Sequence, residues 1–243
     1  MRQFFAVKKE NKILYLDKKQ LNHIKNVLRM KKGSKIEVVY SDEKYIASLN
    51  SDYLTCNILK NLEKEEKKKI KKIFYIPVLV EDKMSFIFQK GTELGVDEFV
   101  PVLFERCKIK LDENTKIKKI NRWKKIVENA SMQSKRIEMP KVSDIVIVNE
   151  IIPNADLNLL CSLDTDNVKT LKEVLNNVNS CATISVLFGP EGGLTSAEEE
   201  ILVDKGFIKT KLCNNVLRTE TVVLYVGSVI DYLYEGEWYA GIW

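Results

Sequence analysis

The chain has 243 residues, 45% hydrophobic and 30% charged, which fits one large globular domain or two small ones and excludes disorder throughout. No run approaches about 18 apolar residues, and the opening MRQFFAVKKE lacks the apolar stretch of a secretory signal, so a membrane span is not expected and a cytoplasmic location is. The net charge of +5 is unevenly spread: residues 1–72 carry +10, residues 103–141 carry +7, and the remainder is near −12. This suggests a polyanion-binding surface on a soluble body, although lysine-rich solvated faces give the same count.

Residues 1–59 read as short strands at Phe4–Val7, Ile13–Leu16, Ile36–Val39, Tyr45–Leu49 and Tyr53–Leu59. A helix is expected at Lys18–Leu28, where Leu21, Ile24 and Leu28 recur at helical spacing. Five strands in about sixty residues suggest a small barrel. Residues 60–72, KNLEKEEKKKIKK, read as a strand end and linker, or as a basic RNA-contacting segment.

From residue 73 strands and helices alternate. Strands are expected at Ile73–Val80, Phe99–Phe104, Val142–Val148, Leu157–Leu163, Ile184–Phe188 and Ile208–Leu212. Helices are expected at Lys83–Leu94, Lys116–Met132, Val168–Val178, Ser196–Lys205 and Thr219–Tyr234. That order implies an α/β fold with a parallel sheet covered on both faces. The expected division is therefore 1–70 and 73–243.

The cysteines (Cys56, Cys107, Cys161, Cys181 and Cys213) are odd in number and lack a C-x-x-C pair, so a disulfide framework is not expected. With His23 as the only histidine, no zinc site of the usual spacing and no metal is expected. His23 also has no nucleophile context for a catalytic triad.

Two loops carry the chemistry. The first runs from the strand end Leu187-Phe188 through Gly189-Pro190-Glu191-Gly192-Gly193-Leu194 to Thr195, whose spacing to Glu198 suggests a capping box. Glycines at a strand-to-helix turn let backbone amides approach a ligand, and the carboxyl ends of parallel strands are where such sheets bind ligands. The loop lacks the Lys-Ser/Thr of a P-loop and the G-x-G-x-x-G of a Rossmann turn, which disfavours an ATPase or a nicotinamide enzyme.

The second loop is Leu212-Cys213-Asn214-Asn215-Val216-Leu217-Arg218-Thr219-Glu220-Thr221. Arg218 stands at a helix start, where a cation is unfavourable unless it has a task. It can hold an anion or a base carbonyl, or it can pair with Glu220.

FGPEGGLTSAEE followed by NNVLRTETVVL resembles the C-terminal motifs of the RsmE family of 16S rRNA uridine N3-methyltransferases, of the SPOUT class. Further matches are His23 to Met30 (H-x-x-x-V-L-R), Lys83-Met84 with Gln89-Lys90 and Glu93 to Val96, Phe104 to Cys107, and Trp123 to Pro140 with Ala130, Gln133 and Arg136. The chain departs where relatives carry Gly-x-Arg and it has Cys213 to Asn215, at Phe104 for serine, and at Lys135 for glycine.

The resemblance implies a C-terminal SPOUT α/β trefoil-knot domain behind a PUA-like β-barrel, with S-adenosyl-L-methionine as cofactor and 16S rRNA or the small ribosomal subunit as partner. It implies a homodimer as well. Aromatics off the apolar stripe of the last helix (Tyr225, Tyr232) and in the tail (Trp238, Tyr239, Trp243) add to that expectation. The cofactor would lie against Leu187 to Gly193, Leu212 and Val216 to Thr221. Arg218 would stabilise charge on a uracil carbonyl. Glu191 would act as base, or simply bond its own turn amides. RNA would be held by Arg2, His23, Lys25, Arg29, Lys90, Arg106 and Arg136, with Lys8, Lys9, Lys31 and Lys32 as further phosphate contacts. The alternative is a non-catalytic RNA-binding protein of ribosome assembly with a degenerate methyltransferase fold.

Overall fold

The structure is a computed structural model that describes residues 1–62, 70–163, 168–176, 178 and 183–234. Glu63 to Lys69 of the charge run, Cys181 and the aromatic tail lie outside the described residues. Two compact units form: Met1–Lys67 with Ser131–Met139, and Lys68–Ala130 with Pro140–Trp243.

The first unit is a closed barrel of β1 (Gln3–Glu10), β2 (Ile13–Leu16), β3 (Lys35–Tyr40), β4 (Glu43–Leu49) and β5 (Thr55–Asn61), in the order β1-β2-β5-β4-β3. Alternate residues point inward, so Phe4, Leu14, Leu16, Ile36, Val38, Tyr45, Ala47, Leu49 and Cys56 fill the bore. A register shift between Ala6 and Lys8 turns Val7 out to solvent.

The expected helix at Lys18–Leu28 is instead a 3₁₀ turn, Lys18–Gln20, followed by a π-helical turn, His23–Val27. The Asp17 carboxylate accepts from the Lys19 amide at 2.9 Å, and Leu28 N–H reaches the His23 carbonyl at 2.8 Å. Within these two turns only Gln20 and Ile24 are buried. So short a segment gains little from its own hydrogen bonds, and the wider turn returns Leu28 and Met30 to the barrel core.

In the second unit come β6 (Lys71–Pro77), α1 (Glu81–Glu93), β7 (Glu98–Leu103), α2 (Glu113–Gln133), β8 (Lys141–Val142), β9 (Val146–Ile147), β10 (Leu157–Cys161), β11 (Lys169–Thr170), α3 (Leu171–Leu175), β12 (Thr183–Phe188), α4 (Ser196–Asp204), β13 (Ile208–Lys211) and α5 (Thr219–Tyr234). The sheet order is β11-β13-β10-β12-β6-β7-β8, with β9 also on β7, and every pairing is parallel. Strand β6 shows why: Phe74 and Ile76 face one core with Phe88, Trp123 and Val223, while Ile73 and Tyr75 face the other with Leu160, Leu187 and Leu202.

Several expected boundaries move. The strand expected at Val142–Val148 is two short strands, β8 and β9, both paired with β7; after β8 the Ser143 amide still bonds the Phe99 carbonyl at 2.9 Å, and its hydroxyl bonds Glu98 at 2.8 Å. The helix at Val168–Val178 contracts to α3, since Thr170 caps it reciprocally with Glu173 and leaves Lys169–Thr170 as a strand. On α5, Val222, Val223, Val226 and Ile230 are buried but Leu233 is exposed; on α2, Ile117 is exposed.

Helices α1 and α5 approach closely. A Cβ on Gly91 would stand 2.7 Å from the Phe99 ring and 3.3 Å from Val223. Fully buried Lys72, beside this contact, pairs with Asp231 of α5 and donates to the Leu94 carbonyl at 3.0 Å. The buried Lys72 charge depends on that partner, because without Asp231 it would be left buried without a counter-charge, whereas Asp231 itself is partly exposed. Among the described residues no helix is long and apolar enough to cross a membrane.

Lys135 explains one departure from the family pattern. It follows α2 in the left-handed region (φ 64°), and the Arg136 amide bonds the Ser131 carbonyl at 3.0 Å, which closes a Schellman-type cap where glycine is the usual residue. The Lys135 ammonium offsets the strain by pairing with Glu37 at 2.7 Å. We expect Lys135→Gly to stay within about 1 kcal/mol of wild type, because relief of the left-handed strain offsets loss of a partly exposed pair. Lys135→Ala keeps the strain, loses the pair and should be the less stable by about 1 kcal/mol. Urea unfolding of both variants checks this; an alanine variant as stable as the glycine variant contradicts it.

Candidate functional site

The two sequence-predicted loops leave the carboxyl ends of β12 and β13, and α5 joins them. The Thr219 hydroxyl donates to the Gly189 carbonyl at 3.3 Å, which ties the first loop to the first turn of that helix. Tyr225, two turns along α5, donates to the Leu212 carbonyl at 3.2 Å and so holds the start of the second loop.

The glycine loop is also clamped from the segment after β7. Arg106 Nη1 donates to the carbonyls of Gly192 (2.9 Å) and Leu194 (3.0 Å). Buried Glu198 is the expected capping partner of Thr195, and its other oxygen accepts from the Glu105 amide at 2.8 Å. One carboxylate thus satisfies amides of two loops and fixes their spacing.

Gly193, not Gly192, adopts the left-handed backbone (φ 70°). A Cβ on Gly192 would meet the aliphatic stem of Arg106 at 3.3 Å, and one on Gly189 would meet Leu194 at 3.2 Å. These two glycines make room for the chain's own side chains.

Lys83, in the first turn of α1, reaches Glu191 at 2.8 Å and Glu220 at 3.3 Å. The hydrogen bond from Lys83, with its charge, holds the Glu191 carboxyl below the ordinary range, and the bond to Glu191 raises the Lys83 ammonium above its own. A carboxylate held low is a weaker proton acceptor, so the pairing suits Glu191 to carrying charge rather than to general-base work. Glu220 is engaged by Lys83. Arg218 is exposed, and among the described residues its guanidinium has no partner.

The second loop leaves donors unspent. Among the described residues the N–H groups of Asn214, Asn215, Val216 and Leu217 make no internal hydrogen bond, and Val216 is 76% exposed. Cys213 Sγ bonds the Asn215 carbonyl at 3.1 Å. Leu187 and Phe188 are buried in the two cores, so only their main chain is available to a ligand. Thr221 follows Arg218 in the first turn, its amide on the Arg218 carbonyl at 2.8 Å.

The basic residues expected at RNA divide. In the barrel unit Arg2, His23, Lys25 and Arg29 are exposed, and Lys25 lies 5.8 Å from the Tyr53 ring centre. Arg136 is half-buried and its Nε bonds the Glu138 carbonyl. In the other unit Lys90 pairs with Glu93 at 2.8 Å, and exposed Arg106 has its Nη1 on the glycine loop. Sequence reading missed the clamp and the Lys83 bridge, although both residues lie in motifs it had marked. Among the described residues no group of three His, Cys, Asp or Glu side chains could hold a metal ion.

Gly193→Ala should cost about 1–2 kcal/mol through its left-handed φ, and Gly192→Ala should cost less, since only a flexible arginine stem must move. Urea unfolding measures both; the reverse order would contradict the assignment.

Comparison with known proteins is consistent along the chain. A family described as an RNA methyltransferase domain matches residues 64–231, and one described as an RNA methyltransferase PUA domain matches residues 16–59. The chain is 31% identical to ribosomal RNA small subunit methyltransferase E of Bacillus subtilis, covering 88% of this chain and 87% of that one. It is 30% identical to the protein of the same name from Aquifex aeolicus, over 95% and 99%. The crystal structure of a ribosomal RNA small subunit methyltransferase E from Neisseria gonorrhoeae bound to S-adenosyl methionine superposes with a TM-score of 0.81 at 26% identity, over 96% and 98%.

Proposed function

The chain belongs to the ribosomal RNA small subunit methyltransferase E family, and on that premise we propose that it transfers a methyl group from S-adenosylmethionine to N3 of a uridine in 16S rRNA. The observation that carries this reading is the joining of the two loops through Thr219 and Gly189, with the Arg218 guanidinium left unpaired beside them. The uridine N3 position rests on the resemblance of the two loop motifs to the family's.

The residues present suit the cofactor. Unspent amides at Asn214 to Leu217 and the apolar Val216 can meet a purine and its ribose. The backbone of Leu187 to Gly193, with Leu212 and Leu217 to Thr221, would form the rest of the cradle. Bound S-adenosylmethionine would supply an electrophilic methyl group on a sulfonium.

The chain's residues then have two tasks. Uracil N3 is a poor nucleophile while protonated, and as its proton passes to solvent water negative charge spreads onto the carbonyl oxygens. Arg218 would stabilise that charge, as an exposed guanidinium with no competing acid can. Glu191, ionised by its contact with Lys83, would contribute charge at the mouth. The barrel unit, as an RNA-binding domain, would hold phosphates through Arg2, His23, Lys25 and Arg29. A homodimer would cover the outer face of α5, where Tyr225, Val229 and Tyr232 line an open apolar cleft of about 460 Å³.

Arg218→Ala should fold and lose on the order of 10²–10³ in rate, as removal of one preorganised charge stabiliser does. Nucleoside mass analysis of rRNA from a strain lacking the gene, treated with wild-type or variant protein, reads the N3-methyluridine formed. Turnover within a few-fold of wild type would remove Arg218 from the mechanism.

A further inference from the structure

We infer that Lys83 is the positioning residue for Arg218: by engaging Glu191 and Glu220 together it holds the glycine loop against the start of α5 and keeps Glu220 from capturing the arginine. The inference rests on the proposed role of Arg218 but concerns a residue outside both loops.

Three observations carry it. Lys83 belongs to α1, yet its ammonium reaches one carboxylate from the glycine loop (2.8 Å) and one from the first turn of α5 (3.3 Å), so a single side chain spans three elements. One Glu220 carboxylate oxygen is buried with no hydrogen-bond partner, so the Lys83 charge is its compensation. A lysine in the first turn of a helix opposes the helix dipole, and Glu81 beside it is already taken by Lys119 (2.8 Å) and Arg122 (3.0 Å). Partly exposed ion pairs contribute little to folding, so stability alone does not account for the placement.

Removing Lys83 would leave the Glu191 and Glu220 carboxylates without their shared cation, while Arg106 stays on the loop carbonyls. The nearest unpaired cation to Glu220 along the chain is Arg218, two residues away at the helix start. An arginine drawn onto Glu220 is no longer aimed at a developing oxyanion. Misplacement of about 1 Å can cost on the order of 10²-fold in rate.

The test compares methyl transfer to rRNA by the full chain carrying Lys83→Met, Lys83→Arg, Arg218→Ala, or Lys83→Met with Glu220→Gln. Lys83→Met should lower kcat by on the order of 10²-fold, read well below the variant's thermal midpoint, which falls because the buried Glu220 oxygen loses its compensating charge. Lys83→Arg should stay within a few-fold. Glu220→Gln added to Lys83→Met should recover most of the loss, because it removes the charge that captures Arg218; a purely structural lysine would give a double variant as slow as the single or slower. Lys83→Gln replaces the methionine variant should that fail to fold. A Lys83→Met enzyme within a few-fold of wild type, or a double variant without recovery, overturns the inference. If Arg218→Ala is slow while Lys83→Met is fast, only the role of Lys83 falls; if Arg218→Ala is itself fast, the proposed mechanism falls and this inference with it.

Discussion

A turn with three glycines in five residues has more conformational freedom to lose than any other stretch of this chain, and nothing in its own sequence selects one shape. The rest of the second unit supplies the selection. Arg106 takes two carbonyls of the loop, Glu198 takes the Thr195 amide together with that of Glu105, and Thr219 takes the Gly189 carbonyl. The constraints arrive from three places: Arg106 from the turn that follows β7, Glu198 from α4 and Thr219 from α5. The loop therefore has its shape before any ligand arrives, which lowers the ordering cost of binding.

The anchors depend in turn on the sheet. A parallel sheet buried on both faces places the ends of β12 and β13 on one edge, with β10 between them. The close packing of α5 on α1 sets where Thr219 and Glu220 emerge. Gly91 and the Lys72–Asp231 pair maintain that packing, the first by offering no side chain and the second by a buried charge that needs its partner.

Much of this was legible in the sequence. Hydrophobic alternation and helical spacing locate the strands and the long helices, and α5 begins at Thr219, where the pattern of apolar residues places it. The Thr195–Glu198 cap was readable because its spacing has a local cause. Departures arise where tertiary contacts override local pattern: Ile24 and Leu28 suit a helix but serve a barrel. The site was readable as two loops but not as a network. The sequence offers Glu191 as a base or as a turn acid on its own amides, and shows neither Lys83, 108 residues away, at its side nor the Arg106 guanidinium on the loop carbonyls. Long-range pairings of this kind have no period or spacing to announce them. Lys135 is the converse case, where a departure from the family's motif marked a backbone position that the structure shows to be strained.

We propose that the glycine loop, held by the chain's own side chains, forms one cradle for a methyl donor with the loop beside it. Calorimetric titration of S-adenosylmethionine into the wild-type chain and an Arg106→Met variant tests it most directly. The account predicts saturable binding at one site per wild-type chain, and affinity at least about tenfold weaker in a folded variant, since a freed loop must be ordered by the ligand. No binding to the wild-type chain, or equal affinity in the two proteins, would contradict it.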